Sequence, residues 1–190
     1  MKRFMLLAVS TVAFLLVGRA GAADTYGVDP VHSSALFRAK HANTGYVWGK
    51  FKEISGTFVL DDADVTKDSF EIEIPVDSID ANNPKRDAHL KSPDFFNSKQ
   101  YPTIKFKSTS VTKGEGDALT VNGNLDLHGV TKPISLVVTL VGKGEFPPGM
   151  FRAGLDVQFA VKLTDYQIKG MPGGVGDEIR VVIDVEGVKK

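Results

Sequence analysis

Chemistry in this chain would have to come from its histidines, its paired acids or a short basic run near its middle, because it contains no cysteine. That absence removes thiolate nucleophiles, thiolate metal sites and disulfides together. The four histidines, His32, His41, His89 and His128, are scattered. No two stand at the i, i+2 or i, i+4 spacing that sets a ligand pair on one strand or helix face, so no metal site is expected from them. Glu71 and Glu73 share one face of a segment whose alternate residues are Phe70, Ile72 and Ile74. The two carboxylates therefore belong on the wet side of a strand rather than in a catalytic pair. No G-x-S-x-G, Walker-type glycine loop or H-E-x-x-H occurs. The basic run is Lys85, Arg86, His89 and Lys91, with Ser92 beside it. Arg could clamp an anion in bidentate fashion there, and His could donate a hydrogen bond. Solvation, or support of a neighbouring loop, would use the same residues.

One helix is predicted to carry that run. Asn83 suits the N-cap, Pro84 the first helical position, and Pro93 stops the helix after about Lys91. Elsewhere the apolar residues recur at every second position, the period of a β-strand. Phe70, Ile72 and Ile74 begin one set; Leu125 and Leu127 belong to another. Leu155, Val157 and Phe159, then Ile179, Val181 and Ile183, supply two more. Segments 33–42, 50–60, 103–112 and 133–143 bring the count to about eight strands. Asp61-Asp62-Ala63-Asp64, Gly114-Glu115-Gly116-Asp117, His128-Gly129 and Phe146-Pro147-Pro148-Gly149 are turn formers between them. The Gly-rich stretch 170–176 is expected as a mobile loop with Met171 as a flap. Tyr46 and Trp48, flanked by Gly45 and Gly49, are expected at a hairpin tip or a rim. Phe95, Phe96 and Tyr101 would cap the mouth of a tunnel or anchor the helix to the sheet.

Eight antiparallel strands close into a barrel or stack as a sandwich, and periodicity does not separate the two. Long strands favour the barrel, whose interior at this strand number can hold one small ligand. The inward sets would then line an apolar tunnel or fill a dry core.

The first residues set the compartment. Lys2 and Arg3 precede an uncharged, mostly apolar run over 4–17, and Gly18-Arg19-Ala20-Gly21-Ala22-Ala23 offers the small residues of a signal-peptidase site. Residues 1–22 are thus expected as a cleaved signal peptide, with the cut after Ala22 or Ala23, leaving one domain over 23–190. A membrane span would need about 20 apolar residues. The cut removes three of the 23 basic residues and none of the 23 acidic ones, so the remainder carries a net charge of about −3. That balance gives no support for a nucleic-acid partner.

The segment from Asp80 through Arg86-Asp87-Ala88-His89-Leu90, Ser92-Pro93-Asp94-Phe95-Phe96 and Tyr101-Pro102-Thr103-Ile104-Lys105-Phe106 closely resembles the central signature of YceI-like proteins. Tyr26-Gly27-Val28-Asp29-Pro30-Val31-His32-Ser33, Gly56-Thr57-Phe58, the run from Leu119 to Pro133 and Val175-Gly176-Asp177-Glu178 are similar to that family as well. The resemblance implies an all-β, extended, eight-stranded, lipocalin-like antiparallel barrel with a short helix near its mouth. It implies a periplasmic, often dimeric binder of a polyisoprenoid or similar long-chain amphiphile, quinone-like or a prenyl phosphate, with no required cofactor and no established catalysis. Arg86, His89, Lys91 and Ser92 become the head-group candidates, and the inward sets the tail site. Two other functions compete with a carrier. A barrel enzyme acting on its bound lipid would need a titratable group in the lumen, for which Arg38, His41 and Arg152 are the candidates. A stress-induced interaction protein would need an exposed apolar patch.

Overall fold

The computed structural model describes residues 23–190; the expected signal peptide lies outside the described residues. Eleven strands occur there: β1 (Asp24–Val28), β2 (Ser34–His41), β3 (Gly45–Phe51), β4 (Ser55–Leu60), β5 (Ser69–Pro75), β6 (Ile79–Asp80), β7 (Thr103–Lys113), β8 (Ala118–Leu127), β9 (Val130–Glu145), β10 (Phe151–Lys162) and β11 (Val175–Lys189). One helix, α1 (Pro84–Lys91), separates β6 from β7.

Eleven segments make only eight strands of a barrel. The first three strands are each interrupted once, so β1 continues into β2, β3 into β4 and β5 into β6. Each strand pairs antiparallel with the next in sequence, and β1 and β2 both pair with β11 to close the ring. Closure leaves no exposed sheet edge at the end where β1 and β4 lie. At the other end, β6 pairs with β3 and does not join β7. The gap there is filled by α1 and the turns that follow it.

The sequence reading joined β3 and β4 into one strand over 50–60, and the structure corrects this. Their inward residues change phase between Phe51 and Ile54, and the backbone turns there as Lys52 N–H donates to the Ser78 carbonyl at 3.0 Å. Tyr46 and Trp48 likewise sit within β3 rather than at its tip, which is formed by Ala42, Asn43 and Thr44. β1 was not foreseen, being short. The helix matches its sequence signals: the Asn83 side chain accepts from Arg86 N–H, and Pro84 opens the first turn. His128 and Gly129 take the positive φ values, 54° and 72°, that a tight hairpin between β8 and β9 needs.

The β1–β2 break is tied to the barrel wall by polar contacts. Asp29 N–H donates to the Glu186 carbonyl at 2.8 Å, and the Ser33 hydroxyl donates to the Asp29 carbonyl at 2.7 Å. Arg152 Nη1 lies 2.9 Å from Asp29 Oδ2 and also pairs with Glu186 Oε1. His32 Nδ1 sits 2.9 Å from the same Asp29 oxygen. Hydrogen bonds from His32 and then Arg152 hold the Asp29 carboxyl well below the usual aspartate range. An acid with a depressed folded pKa lends stability that is complete above its unfolded value, about 3.9, and lost as pH falls through the folded one. Asp29→Asn should therefore flatten the loss of stability below about pH 4. Thermal melts of the two proteins from pH 5 to pH 2 check this, and parallel curves would remove Asp29 from the acid limb.

The interior divides in two. At the closed end Tyr26 stacks on Phe58 at 5.1 Å and Phe58 on Phe70 at 6.3 Å, with Val111 and Leu119 also buried in this cluster. Gly187 gives the Phe58 ring its place, since a Cβ there would come within 2.5 Å of it. This half is a close-packed apolar core. The other half is hollow.

Candidate lipid-binding cavity

A cavity of about 1410 Å³, counting the space out to its mouth, occupies the α1 half of the barrel. All eleven residues read as inward from alternation stand on its wall: Phe70, Ile72, Ile74, Leu125, Leu127, Leu155, Val157, Phe159, Ile179, Val181 and Ile183. Their placement follows from parity, because in a closed barrel every second side chain must face the lumen. The wall has 29 residues, and every one is Ala, Val, Leu, Ile or Phe. A surface without one hydrogen-bonding side chain is suited to hydrocarbon and gives water no partners.

Sequence reasoning missed part of this wall. Ala39 and Phe51 come from β2 and β3, where small or single apolar residues gave no clear alternation. Phe37 from β2 also lines it, lying over Gly49 with its ring where a Cβ on that glycine would sit, 2.2 Å from Cζ. Phe95 and Phe96, expected as cap or anchor, serve both ends: they line the cavity and pack α1 against the barrel. Phe96 packs edge-on to Phe51 at 6.0 Å, and its N–H donates to the Leu90 carbonyl at 3.0 Å. Tyr101 is not on the wall; it packs on His128 at 4.5 Å. Met171 is exposed and outside the cavity, where its carbonyl accepts from Gly174 and Val175 N–H.

The floor is Phe70 and Val121, which are 6% and 0% exposed. Leu90, Phe96, Val175 and Ile179 are only partly buried, so the cavity opens at the α1 end.

The polar groups around α1 are partly committed to local structure. One Arg86 guanidinium nitrogen donates to the Ala81 carbonyl, and Asp87 Oδ1 accepts from Ala81 N–H at 2.8 Å. These two residues clip α1 to the end of β6. His89 Nε2 lies 3.0 Å from Asp94 Oδ2, with its ring edge-on to Phe95 at 5.0 Å. Ser92 caps the helix C-terminus, and its hydroxyl accepts from Asp94 N–H. Lys85 and Lys91 have no ion-pair partner among the described residues. Loss of the clip in Arg86→Met should lower stability by about 1–2 kcal/mol, since a buried carbonyl loses its charged donor. It should also speed ligand exchange, read by stopped-flow release of a prenyl or fatty-chain probe; unchanged release would leave α1 fixed by other contacts.

None of the three groups considered for catalysis enters the lumen. Arg38 and His41 lie on the outside of β2 and at its tip. Arg152 is held in the outer Asp29–Glu186 ion pairs. Asp29, His32 and Glu186 do bring three donor atoms within 4.8 Å of one another, a grouping the sequence did not suggest. Arg152 Nη1 already supplies the positive charge between its two carboxylates.

Residues 26–187 match the YceI-like domain. The YceI protein of Shigella flexneri is 38% identical over 192 residues, covering 100% of both chains, and that of Salmonella newport 37% over 187 residues, 97% of each. Among solved structures, Burkholderia cenocepacia BcnA superposes with a TM-score of 0.77 at 21% identity, over 84% of this chain and 98% of its own. A polyisoprenoid binding domain from Saccharophagus degradans, implicated in plant cell wall breakdown, gives a TM-score of 0.66 at 16% identity, over 87% and 98%. The barrel is thus the lipocalin-like barrel of that fold, and by sequence along nearly its whole length the chain belongs to the YceI-like family.

Proposed function

We propose that this protein binds and carries a polyisoprenoid or similar long-chain amphiphile, with the tail inside the barrel and the head at the α1 mouth. The observation that carries this reading is the all-hydrocarbon wall of the cavity, to which eight barrel strands and the α1 segment all contribute apolar side chains. Burying apolar area contributes about 25 cal/mol per Å², so a long tail binds tightly even after its ordering cost. The polyisoprenoid binding domain from Saccharophagus degradans, which shares the fold, supports the choice of an isoprenoid tail.

Lys91 and Ser92, with His89 released from Asp94, are the groups that would meet a polar or phosphorylated head. Arg86 acts as a brace instead. No titratable side chain reaches the cavity wall among the described residues, which favours a binder over an enzyme. Residues 1–22 read as a signal peptide, and no helix among the described residues is long and apolar enough to cross a membrane. A carrier in the periplasm, alone or as a homodimer, fits these features.

Mass spectrometry of an organic extract of the protein, purified without detergent from an exporting host, tests the reading. It should release a prenyl-chain lipid in near-stoichiometric amount. A lipid-free protein that also takes up no prenyl or fatty-chain probe would reject it.

A further inference from the structure

The outer face of β2 and β3 carries residues that the cavity does not use. Outward positions on a sheet wrapped round an apolar interior are normally polar. Here Trp48 and Tyr46 stand outside with 53% and 58% of their surfaces exposed. Arg38, directly across from Trp48, places its guanidinium carbon 4.2 Å from the Tyr46 ring centroid and 5.5 Å from that of Trp48. Around them on the same face, by register, are Lys40, Lys50, Arg180 and Lys162. The acids on that face are Glu178, 3.9 Å from Arg180, Asp80, opposite Lys50, and, further along β11 and β10, Asp184 and Asp156.

On β2 and β3 themselves the outward positions hold three cations, Arg38, Lys40 and Lys50, and no acid, so the positive balance is concentrated around the two rings. The patch is basic on a domain that carries a net negative charge. Indole and phenol rings set among Arg and Lys fit the headgroup layer of a bilayer, where the rings lie at the polar–apolar boundary and the cations meet phosphates. Position points the same way. Phe37, Ala39 and Phe51 on the inner face of the same two strands line the cavity, so the patch backs its wall beside the mouth.

We propose that the outer face of β2 and β3 docks the barrel onto a bilayer surface containing anionic phospholipid. Trp48 and Tyr46 lie at headgroup level, and Arg38, Lys40, Lys50 and Arg180 face the phosphates. This deepens the reading of the cavity as a lipid site, because docking there holds the mouth close to a source of its ligand. The docking itself does not require a filled cavity.

Trp48 is the single tryptophan of the chain, so its fluorescence reports this face alone. The protein is titrated with vesicles of phosphatidylcholine, with and without phosphatidylglycerol. Only the mixed vesicles should shift Trp48 emission to the blue, brominated acyl chains should quench it, and added salt should reverse both effects. Arg38→Gln/Lys40→Gln should weaken vesicle affinity roughly twenty-five-fold, at about fivefold per surface cation. It should leave equilibrium uptake of a prenyl probe unchanged. Ile72→Phe/Val157→Phe, which narrows the lumen, should do the opposite, so failure of docking and failure of the cavity reading are told apart. Emission indifferent to both vesicle types overturns the proposal. So does a blue shift that follows protein concentration without vesicles, which would make the face a contact between copies.

Discussion

The double substitution Ile72→Phe/Val157→Phe should leave the barrel folded and weaken its hold on a long prenyl lipid by about a hundredfold or more. The two positions belong to β5 and β10, which stand four places apart in the ring of eight, so the added rings approach each other across the lumen. Overfilling a packed core costs typically about 1–3 kcal/mol. Here the rings enter empty space, and stability should change by less than about 1 kcal/mol. Affinity responds differently. A tenfold change is about 1.4 kcal/mol, which corresponds to roughly 55 Å² of apolar contact. A tail barred from the floor at Phe70 and Val121 loses at least twice that contact. Thermal unfolding and competition against a fluorescent prenyl probe measure the two effects separately. Undiminished affinity would place the lipid outside this cavity.

Phe58→Ala should show the reverse balance. Phe58 is 1% exposed and stacks on both Tyr26 and Phe70 in the closed half. Removing it leaves a void that its neighbours cannot fill, at a cost of about 3–5 kcal/mol. For a domain of this size that lowers Tm by roughly 6–20 °C. Phe159→Ala removes the same ring from the cavity wall, where Phe159 is only partly buried and already borders open space. It should cost less than half as much. Equal losses at the two sites would contradict the division of the interior into a packed half and a hollow half.

The cavity wall was legible in the sequence wherever parity and apolarity coincide. Leu155, Val157 and Phe159 illustrate this, because a polar or small residue separates each pair and only one phase can face a closed lumen. Where the phase slips, the reading failed. Phe51 and Ile54 are both inward but three residues apart, and that shift was the available sign that β3 and β4 are separate segments. β1 is five residues long and includes Gly27, too little for a period to show. The hollow itself could not be read, since Val121 beside the cavity and Val111 in the packed half are the same residue in the same alternation. Which of them borders open space depends on the volume supplied by Tyr26, Phe58 and Phe70 together.

The polar sites divide similarly. The support of a loop by Arg86 was one of the roles that its place on a short helix allowed, and Asn83 and Pro84 fixed where that helix begins. The union of Asp29, Arg152 and Glu186 had no local signal, because 123 residues separate Asp29 from Arg152. Only barrel closure brings them together. The exposure of Tyr46 and Trp48 likewise depends on the register of β3 against β2, which places Gly49 under the Phe37 ring and turns its neighbours outward.

The most direct test of a tail held in the barrel is the dependence of affinity on prenyl chain length, measured by titration calorimetry with a series sharing one head group. Each carbon removed from water contributes about 0.8 kcal/mol before ordering costs. Affinity should therefore rise by at least tenfold per added isoprene unit, then level off once the cavity is full. In Ile72→Phe/Val157→Phe the plateau should arrive at shorter chains. Affinity that is flat across the series, or a plateau that the two substitutions do not move, would contradict the account.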